Sequence, residues 1–258
     1  EIIQNNNENI ELDLVINTRE KNESEKDQEF DDDKINIGLL TNEIPPIIYG
    51  GVSTWIVNFI KMFENSEKYR IIPIFLAYAD DVTDDIMKKY KYMRVIKYKR
   101  DIKTVFKDIK VCINNLWIAL DTIKEINSLY PELIMVSVCH SLIKMEHLTN
   151  LGSQYTSNFY EQEITFKNSD FVVLISKAEK KYYEEFGYNK YKAIPVVIYN
   201  SYKPKFDNLQ INYDYKNNNI GYIGRHVPRK RPELPIRAVI KAGRSDILVF
   251  NMGVDYSK

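Results

Sequence analysis

Residues 35–63 read INIGLLTNEIPPIIYGGVSTWIVNFIKMF, and the change of period inside this stretch decides the fold. INIGLL is a short continuous apolar run, as a buried strand is. Val52, Trp55, Ile56, Phe59, Ile60 and Phe63 instead recur at the spacing of one helix face. A strand, a loop carrying Gly50-Gly51 and an amphipathic helix therefore follow one another. The alternation continues downstream through IIPIFLAYA at 71–79, a long helical region through Leu129, LIMVSVCHS at 133–141 and a further helical stretch. FVVLIS at 171–176, a helix around KAEKKYYEEFG at 177–187 and AIPVVIYN at 193–200 complete it. Strands alternating with helices predict an α/β fold of parallel βαβ units, with one mainly parallel sheet covered on both faces. Gly187 suits the position just after a helix, where a left-handed residue closes the last turn.

Composition sets the limits. The 258 residues carry 36 Lys plus Arg against 36 Asp plus Glu, so no global charge draws the chain to nucleic acid or acidic membranes, and any anion site must be local. The longest apolar runs fall far short of the roughly 20 residues of a membrane span, so no transmembrane segment is expected. Cys112 and Cys139 each lie in an apolar stretch without metal-type spacing, which suits buried thiols in a reducing, cytoplasmic setting. The chain starts at Glu1 without the pattern of a signal peptide and reads as processed.

Four segments are expected. Residues 1–34 form a polar extension, almost wholly charged or polar over 18–34, with an added edge strand at 10–16. Residues 35–200 form a Rossmann-like domain, and the Asn-rich, Pro-containing stretch 201–218 is a linker. Residues 219–258 begin a second domain. Its one strand, one helix and the strand DILVFN at 246–251 amount to about 40 residues, too few for a core of their own, so this domain is expected to be incomplete in the chain.

Two loops suggest anion chemistry. In residues 221–242, GYIGRHVPRKRPELPIRAVIKA, an apolar strand runs into Gly224-Arg225, and Lys230 follows just ahead of a helix. Arg225 forks onto two phosphate oxygens and Lys230 adds a point charge, a pairing suited to a diphosphate. The alternative is a solvated basic loop, because Arg229, Lys230 and Arg231 form a run. Gly50-Gly51 lets a phosphate or sugar approach the backbone where helix N–H groups and the helix dipole point at it. It is neither a dinucleotide fingerprint nor a Walker loop, and a simple turn is the alternative. His140 ends an apolar strand, where it either faces a ligand or is satisfied locally. Asp31 to Asp33, Asp80-Asp81 and Asp84-Asp85 lie in polar stretches and read as surface or helix-start charges, so no metal site is expected.

In order, INIGLLTNEIPPIIYGGVSTWIVNFI, VSVCHSLIKMEHL, SDFVVLISKAEKKYYEEFGYNKYKAIPVVIYNS and IGYIGRHVPRKRPELPIRAVIKA resemble the retaining glycosyltransferases of family 4, which include glycogen and sucrose synthases. The resemblance implies a GT-B fold of two Rossmann-like domains facing a cleft, with the acceptor mainly on the first and the nucleotide-sugar donor mainly on the second. It sets Gly50, Gly51, Arg225 and Lys230 against the donor and His140 beside the reacting sugar carbon. It also implies hexose transfer with retention, metal-independent, with no cofactor beyond the donor. A UDP-sugar is favoured, and the acceptor is a sugar, glycan, lipid or protein. His147 and His226 match no family role and read as surface or packing residues, while Tyr182, Tyr183 and Phe186 are assigned to the core. Two departures stand out. The family's downstream paired-glutamate loop is absent before Lys258, and a strand–helix–strand unit is missing where YPELI runs into MVSVCHS. A non-catalytic GT-B partner subunit or glycan-binding module, a sugar-nucleotide epimerase and a phosphorylase are the alternatives.

Overall fold

Seven short apolar runs lie side by side in one parallel sheet. The computed structural model describes residues 33–48, 50–77, 84–116, 120–149, 158–200, 218–224, 226 and 230–253. Its strands are β1 (Ile35–Thr41), β2 (Tyr69–Leu76), β3 (Arg94–Ile96), β4 (Val111–Asn114), β5 (Ile134–Cys139), β6 (Phe171–Leu174) and β7 (Ile194–Val197). They are ordered β3-β2-β1-β4-β5-β6-β7, and each neighbouring pair is parallel. The order reverses between β1 and β4. At such a switch point the loops leaving the two strands diverge and open a crevice at the C-terminal edge of the sheet.

The crossovers are helical: α1 (Gly51–Met62), α2 (Asp84–Lys89), α3 (Ile102–Val105), α4 (Leu120–Leu129), α5 (Ile143–Thr149), α6 (Asn158–Lys167) and α7 (Lys177–Glu185). The polar extension up to residue 32, its edge strand at 10–16 and the linker residues 201–217 lie outside the described residues.

The expected single helical region through Leu129 is corrected. It holds two strands, β3 and β4, of three and four residues. Runs as short as RVI and VCIN, set among Lys, Tyr and Asp, carry too few residues for a period to declare itself. The unit expected to be missing is therefore present: β4, α4 and β5 form it, with β4 paired to both β1 and β5.

α1 covers one part of the sheet. Ile56 is fully buried, and Val52, Trp55, Phe59, Ile60 and Phe63 pack partly buried around a core of Leu39, Ile44 and Phe75. A second core gathers Phe166, Val172, Leu174, Tyr183 and Tyr188 under α6 and α7. Tyr183 is fully buried, as expected, whereas Tyr182, one helical step round, is 37% exposed and outside the core. Ser176 caps α7 by accepting from Glu179 N–H at 3.0 Å, and Gly187 follows the helix at φ 76°, the left-handed conformation that the turn requires. Cys112 and Cys139 are both buried and unpaired.

A buried polar chain ties the middle strands together. Ser169 Oγ donates to the Thr165 carbonyl at 2.8 Å, so its one proton is used and Ser137 Oγ donates to it at 2.7 Å. Ser137 in turn accepts from Asn114 Nδ2 at 3.0 Å. β4, β5 and the turn after α6 are thus locked in register just below the C-terminal edge.

A separate two-stranded parallel sheet joins β8 (Ile220–Ile223) and β9 (Val249–Met252), connected through α8 (Leu234–Lys241). Ile223, Ile240 and Phe250 are more than half exposed, as expected of less than a whole Rossmann-like domain.

Candidate functional site

The candidate site lies at the C-terminal ends of β1, β4 and β5, beside the switch point. From β1 the chain enters a loop whose first residues fold back on themselves. Thr41 Oγ1 donates to the Glu43 carbonyl at 2.9 Å and accepts from Glu43 N–H at 3.1 Å. Fully buried Ile44 anchors the loop to the core, and Tyr90 Oη donates to the Pro45 carbonyl at 2.9 Å. The buried Glu43 carboxylate then reaches forward and accepts from Gly50 N–H at 2.9 Å. Ser53 Oγ donates to the Gly50 carbonyl at 2.8 Å, which fixes the entry into α1.

Neither glycine of the pair is required by the loop's own geometry. Gly50 has φ −171°, extended backbone that any residue adopts. A Cβ added at Gly50 or at Gly51 would meet nothing within 4 Å among the described residues. The absent side chains leave open space at the N-terminus of α1, where no side chain caps the helix and the first turn carries no acid. Gly50 N–H, just outside α1, is already taken by Glu43. The groups that helix geometry leaves for an anion are those of Gly51, Val52 and Ser53, beyond the Glu43 carboxylate.

His140 stands at the same edge, directly after β5. Trp55, one turn into α1, meets its ring edge-on, with centroids 5.4 Å apart and planes at 78°. Trp55 also stacks on Phe59 at 5.0 Å, and Phe59 packs on Phe63, so the aromatic stripe of α1 ends at the imidazole. His140 Nε2 lies 2.9 Å from Asn115 Oδ1 on the residue after β4. Burial pushes the His140 pKa down to about 4, so the ring is neutral at physiological pH. Gln162 holds the loop that follows: its amide donates to the Ser141 carbonyl at 2.8 Å and accepts from Ile143 N–H at 3.0 Å.

Gly50 and Gly51 lie in the loop that leaves β1 and His140 directly follows β5, both on the C-terminal side of the sheet as expected, while Glu43, Trp55, Asn115 and Gln162 are not legible as site residues in the sequence. A strand at VCIN would have put Asn115 at a strand end beside His140. No comparable sequence signal marks Glu43.

The second loop is pinned from its flanks. Tyr222 Oη donates to the Lys230 carbonyl at 3.0 Å, and Asn251 Nδ2 donates to the Pro232 carbonyl at 3.1 Å. Asn251 Oδ1 lies 2.8 Å from His226 Nε2, which gives His226 the packing role expected. Gly253 has to be glycine there, since its Cβ would fall 1.8 Å from the Gly224 carbonyl oxygen. Arg231 is paired with Glu233 at 2.6 Å, whereas the exposed Lys230 ammonium makes no ion pair among the described residues. Arg225 and Arg229 lie outside the described residues. No hydrogen bond or ion pair among the described residues joins Lys230 to Gly50, Gly51 or His140. His147 packs edge-on against Phe159 at 5.0 Å. Among the described residues no group of three or more His, Cys, Asp and Glu side chains converges as round a metal ion, and no helix is long and apolar enough to cross a membrane.

Comparison of the sequence with protein-family models and with curated proteins finds no match. Solved structures do match. Sucrose-phosphate synthase (tll1590) from Thermosynechococcus elongatus is 13% identical with a TM-score of 0.58, over 84% of this chain and 62% of that one. Alr3699/HepE from Anabaena, in complex with UDP and glucose, is 16% identical with a TM-score of 0.55, over 83% of this chain and 60% of that one. The chain therefore spans about three fifths of the length of these structures, and identities this low show the fold alone. That fold is the expected one, α/β of the GT-B type, with a seven-stranded parallel sheet and part of a second Rossmann-like domain.

Proposed function

We propose that this chain belongs to a glycosyltransferase that moves a hexose from a nucleoside-diphosphate sugar to an acceptor with retention of configuration and without a metal ion. The supporting observation is the glycine pair at the N-terminus of α1, with no described atom where their side chains would stand, on a helix whose Trp55 meets a neutral His140 at the C-terminal edge of the sheet. A pair chosen only for a turn would show positive φ or a local clash, and neither glycine does. HepE is a complex with UDP and glucose, which supports a UDP-sugar as donor. The acceptor is a sugar, glycan, lipid or protein, and two buried unpaired thiols favour the cytoplasm.

Breaking the bond between the anomeric carbon and the diphosphate oxygen leaves a second negative charge on the terminal phosphate. Backbone N–H groups at α1, oriented before the charge develops, would stabilise it together with the Arg225 and Lys230 cations. The acceptor oxygen bonds to the anomeric carbon from the face the phosphate leaves, and the departing phosphate oxygen takes the acceptor's proton. No separate general base is then needed. His140, neutral, binds a sugar hydroxyl and supplies no charge.

The test is the full-length protein incubated with UDP-glucose, UDP-N-acetylglucosamine or GDP-mannose and candidate acceptors, with product anomers read by proton NMR. The reading expects the donor's configuration in the product and an unchanged rate in EDTA. An inverted product, or activity lost in EDTA and restored by manganese, refutes the retaining or the metal-free part respectively.

A further inference from the structure

The contact between Asn115 and His140 holds more information than a hydrogen bond length. An amide and an imidazole can be joined in two ways, depending on which of them donates. Here the choice is settled by the other end of the amide. Asn115 Nδ2 lies 3.4 Å from the Ile113 carbonyl, which only accepts, so the reversed amide would set two oxygens against each other. Oδ1 therefore faces His140, and because an amide oxygen cannot donate, the proton of that hydrogen bond sits on His140 Nε2.

Asn115 is itself held firmly. It is 5% exposed, its main-chain N–H donates to the Leu40 carbonyl at 2.9 Å, and it follows Asn114, which is locked into the buried polar chain. It thus sits across the switch point between β1 and β4, and Trp55 fixes the plane of the imidazole from α1.

We propose that Asn115 is a positioning residue, which fixes His140 as the Nε2–H tautomer so that Nδ1 is left as a hydrogen-bond acceptor for a hydroxyl of the substrate. Nδ1 has no hydrogen-bond partner among the described residues. Neither Asn115 nor Trp55 carries a charge, and the low pKa of the ring has burial as its cause, so the ring stays neutral and Nδ1 keeps its lone pair. A neutral acceptor selects a hydroxyl over an anion such as phosphate. That the hydroxyl belongs to a sugar rests on the glycosyltransferase reading, whereas the tautomer rests on geometry alone.

His140 is one of three histidines in this chain, and substitution identifies its signals. Full-length protein labelled with 15N-histidine gives a long-range proton–nitrogen spectrum without any nucleotide sugar. The His140 signals are those lost in His140→Ala, an assignment that is needed because His226 makes a similar contact with Asn251. The protonated nitrogen of His140 is expected to correlate with both ring C–H protons, the signature of Nε2, and Asn115→Leu is expected to abolish this single-tautomer pattern. Asn115→Asp, which keeps an acceptor oxygen, is expected to preserve the pattern and to raise the pH at which the ring takes its second proton. In transfer assays Asn115→Leu is expected to lower kcat about tenfold or more, and Asn115→Asp to retain more of it near neutral pH. A wild-type His140 protonated on Nδ1, or a pattern unchanged in Asn115→Leu, overturns the proposal. Should Asn115→Leu fail to fold, the wild-type and Asn115→Asp spectra decide. A confirmed tautomer in a protein that transfers no sugar would refute the glycosyltransferase reading and leave the positioning role standing.

Discussion

Replacing Gly51 by alanine separates a ligand-facing glycine from a structural one. The new Cβ meets nothing within 4 Å among the described residues, and Gly51 is the first residue of α1, so no described neighbour opposes the change. Alanine restricts the unfolded chain and favours the helix, which predicts a stability equal to wild type or greater by up to about 1 kcal/mol. In a domain of this size that is a rise of about 2–4 °C in Tm at most. The methyl group fills the space through which a phosphate oxygen would come to within about 2.9 Å of the N–H groups of the first turn. Loss of one charge-assisted hydrogen bond there is worth about 1.5–3 kcal/mol, or about ten- to hundredfold in UDP affinity. Thermal unfolding and titration calorimetry with UDP, both on the full-length protein, measure the two effects separately. A variant as stable as wild type that binds UDP equally well would reduce the glycine pair to a turn. A variant destabilised by more than about 1 kcal/mol would show that the space is filled by the protein itself.

Three further outcomes follow from the same geometry. Arg225→Ala and Lys230→Ala are each expected to weaken UDP binding about ten- to hundredfold, and unchanged affinity in both would make the basic run a solvated face. The His140 pKa is lowered from 6.5 to about 4, so the unfolded chain takes the proton first: this part of the stability is complete above about pH 6.5 and is lost as pH falls toward 4. The loss is at most about 3 kcal/mol, less to the extent that the ring meets water. Urea midpoints at pH 7 and pH 5 should therefore fall more for wild type than for His140→Asn, and equal falls would contradict the neutral buried ring. Gln162→Leu strands the Ile143 N–H and the Ser141 carbonyl, so a destabilisation of about 2–4 kcal/mol is expected in urea melts, and less than about 1 kcal/mol would mean that water or a neighbour replaces the amide.

What was legible in the sequence depended on the length of each signal. α1 could be read because six apolar residues keep one helical face over three turns, and β5 because its apolar run ends sharply at His140. β3 and β4, of three and four residues, could not be told from the helical pattern around them, and the missing βαβ unit was inferred from that misreading. Asn115 escaped notice for the same reason: its contact lies 25 residues away and exists only because β4 and β5 are neighbours in the sheet. Tyr182 and Tyr183 show the limit within a helix, where one residue of rotation separates the surface from a fully buried site. Glu43 joins Gly50 through a loop whose folding back depends on Thr41 and the anchor Ile44, neither of which carries a motif.

A crystal structure of the full-length protein with a bound UDP-sugar measures directly where the donor sits. The expected result has the sugar within hydrogen-bond distance of His140 Nδ1 and the diphosphate against the N-terminus of α1 at Gly51, with Arg225 and Lys230 on its outer oxygens. A nucleotide sugar bound at the opposite edge of the sheet, or one that leaves His140 and Gly51 untouched, would contradict the account.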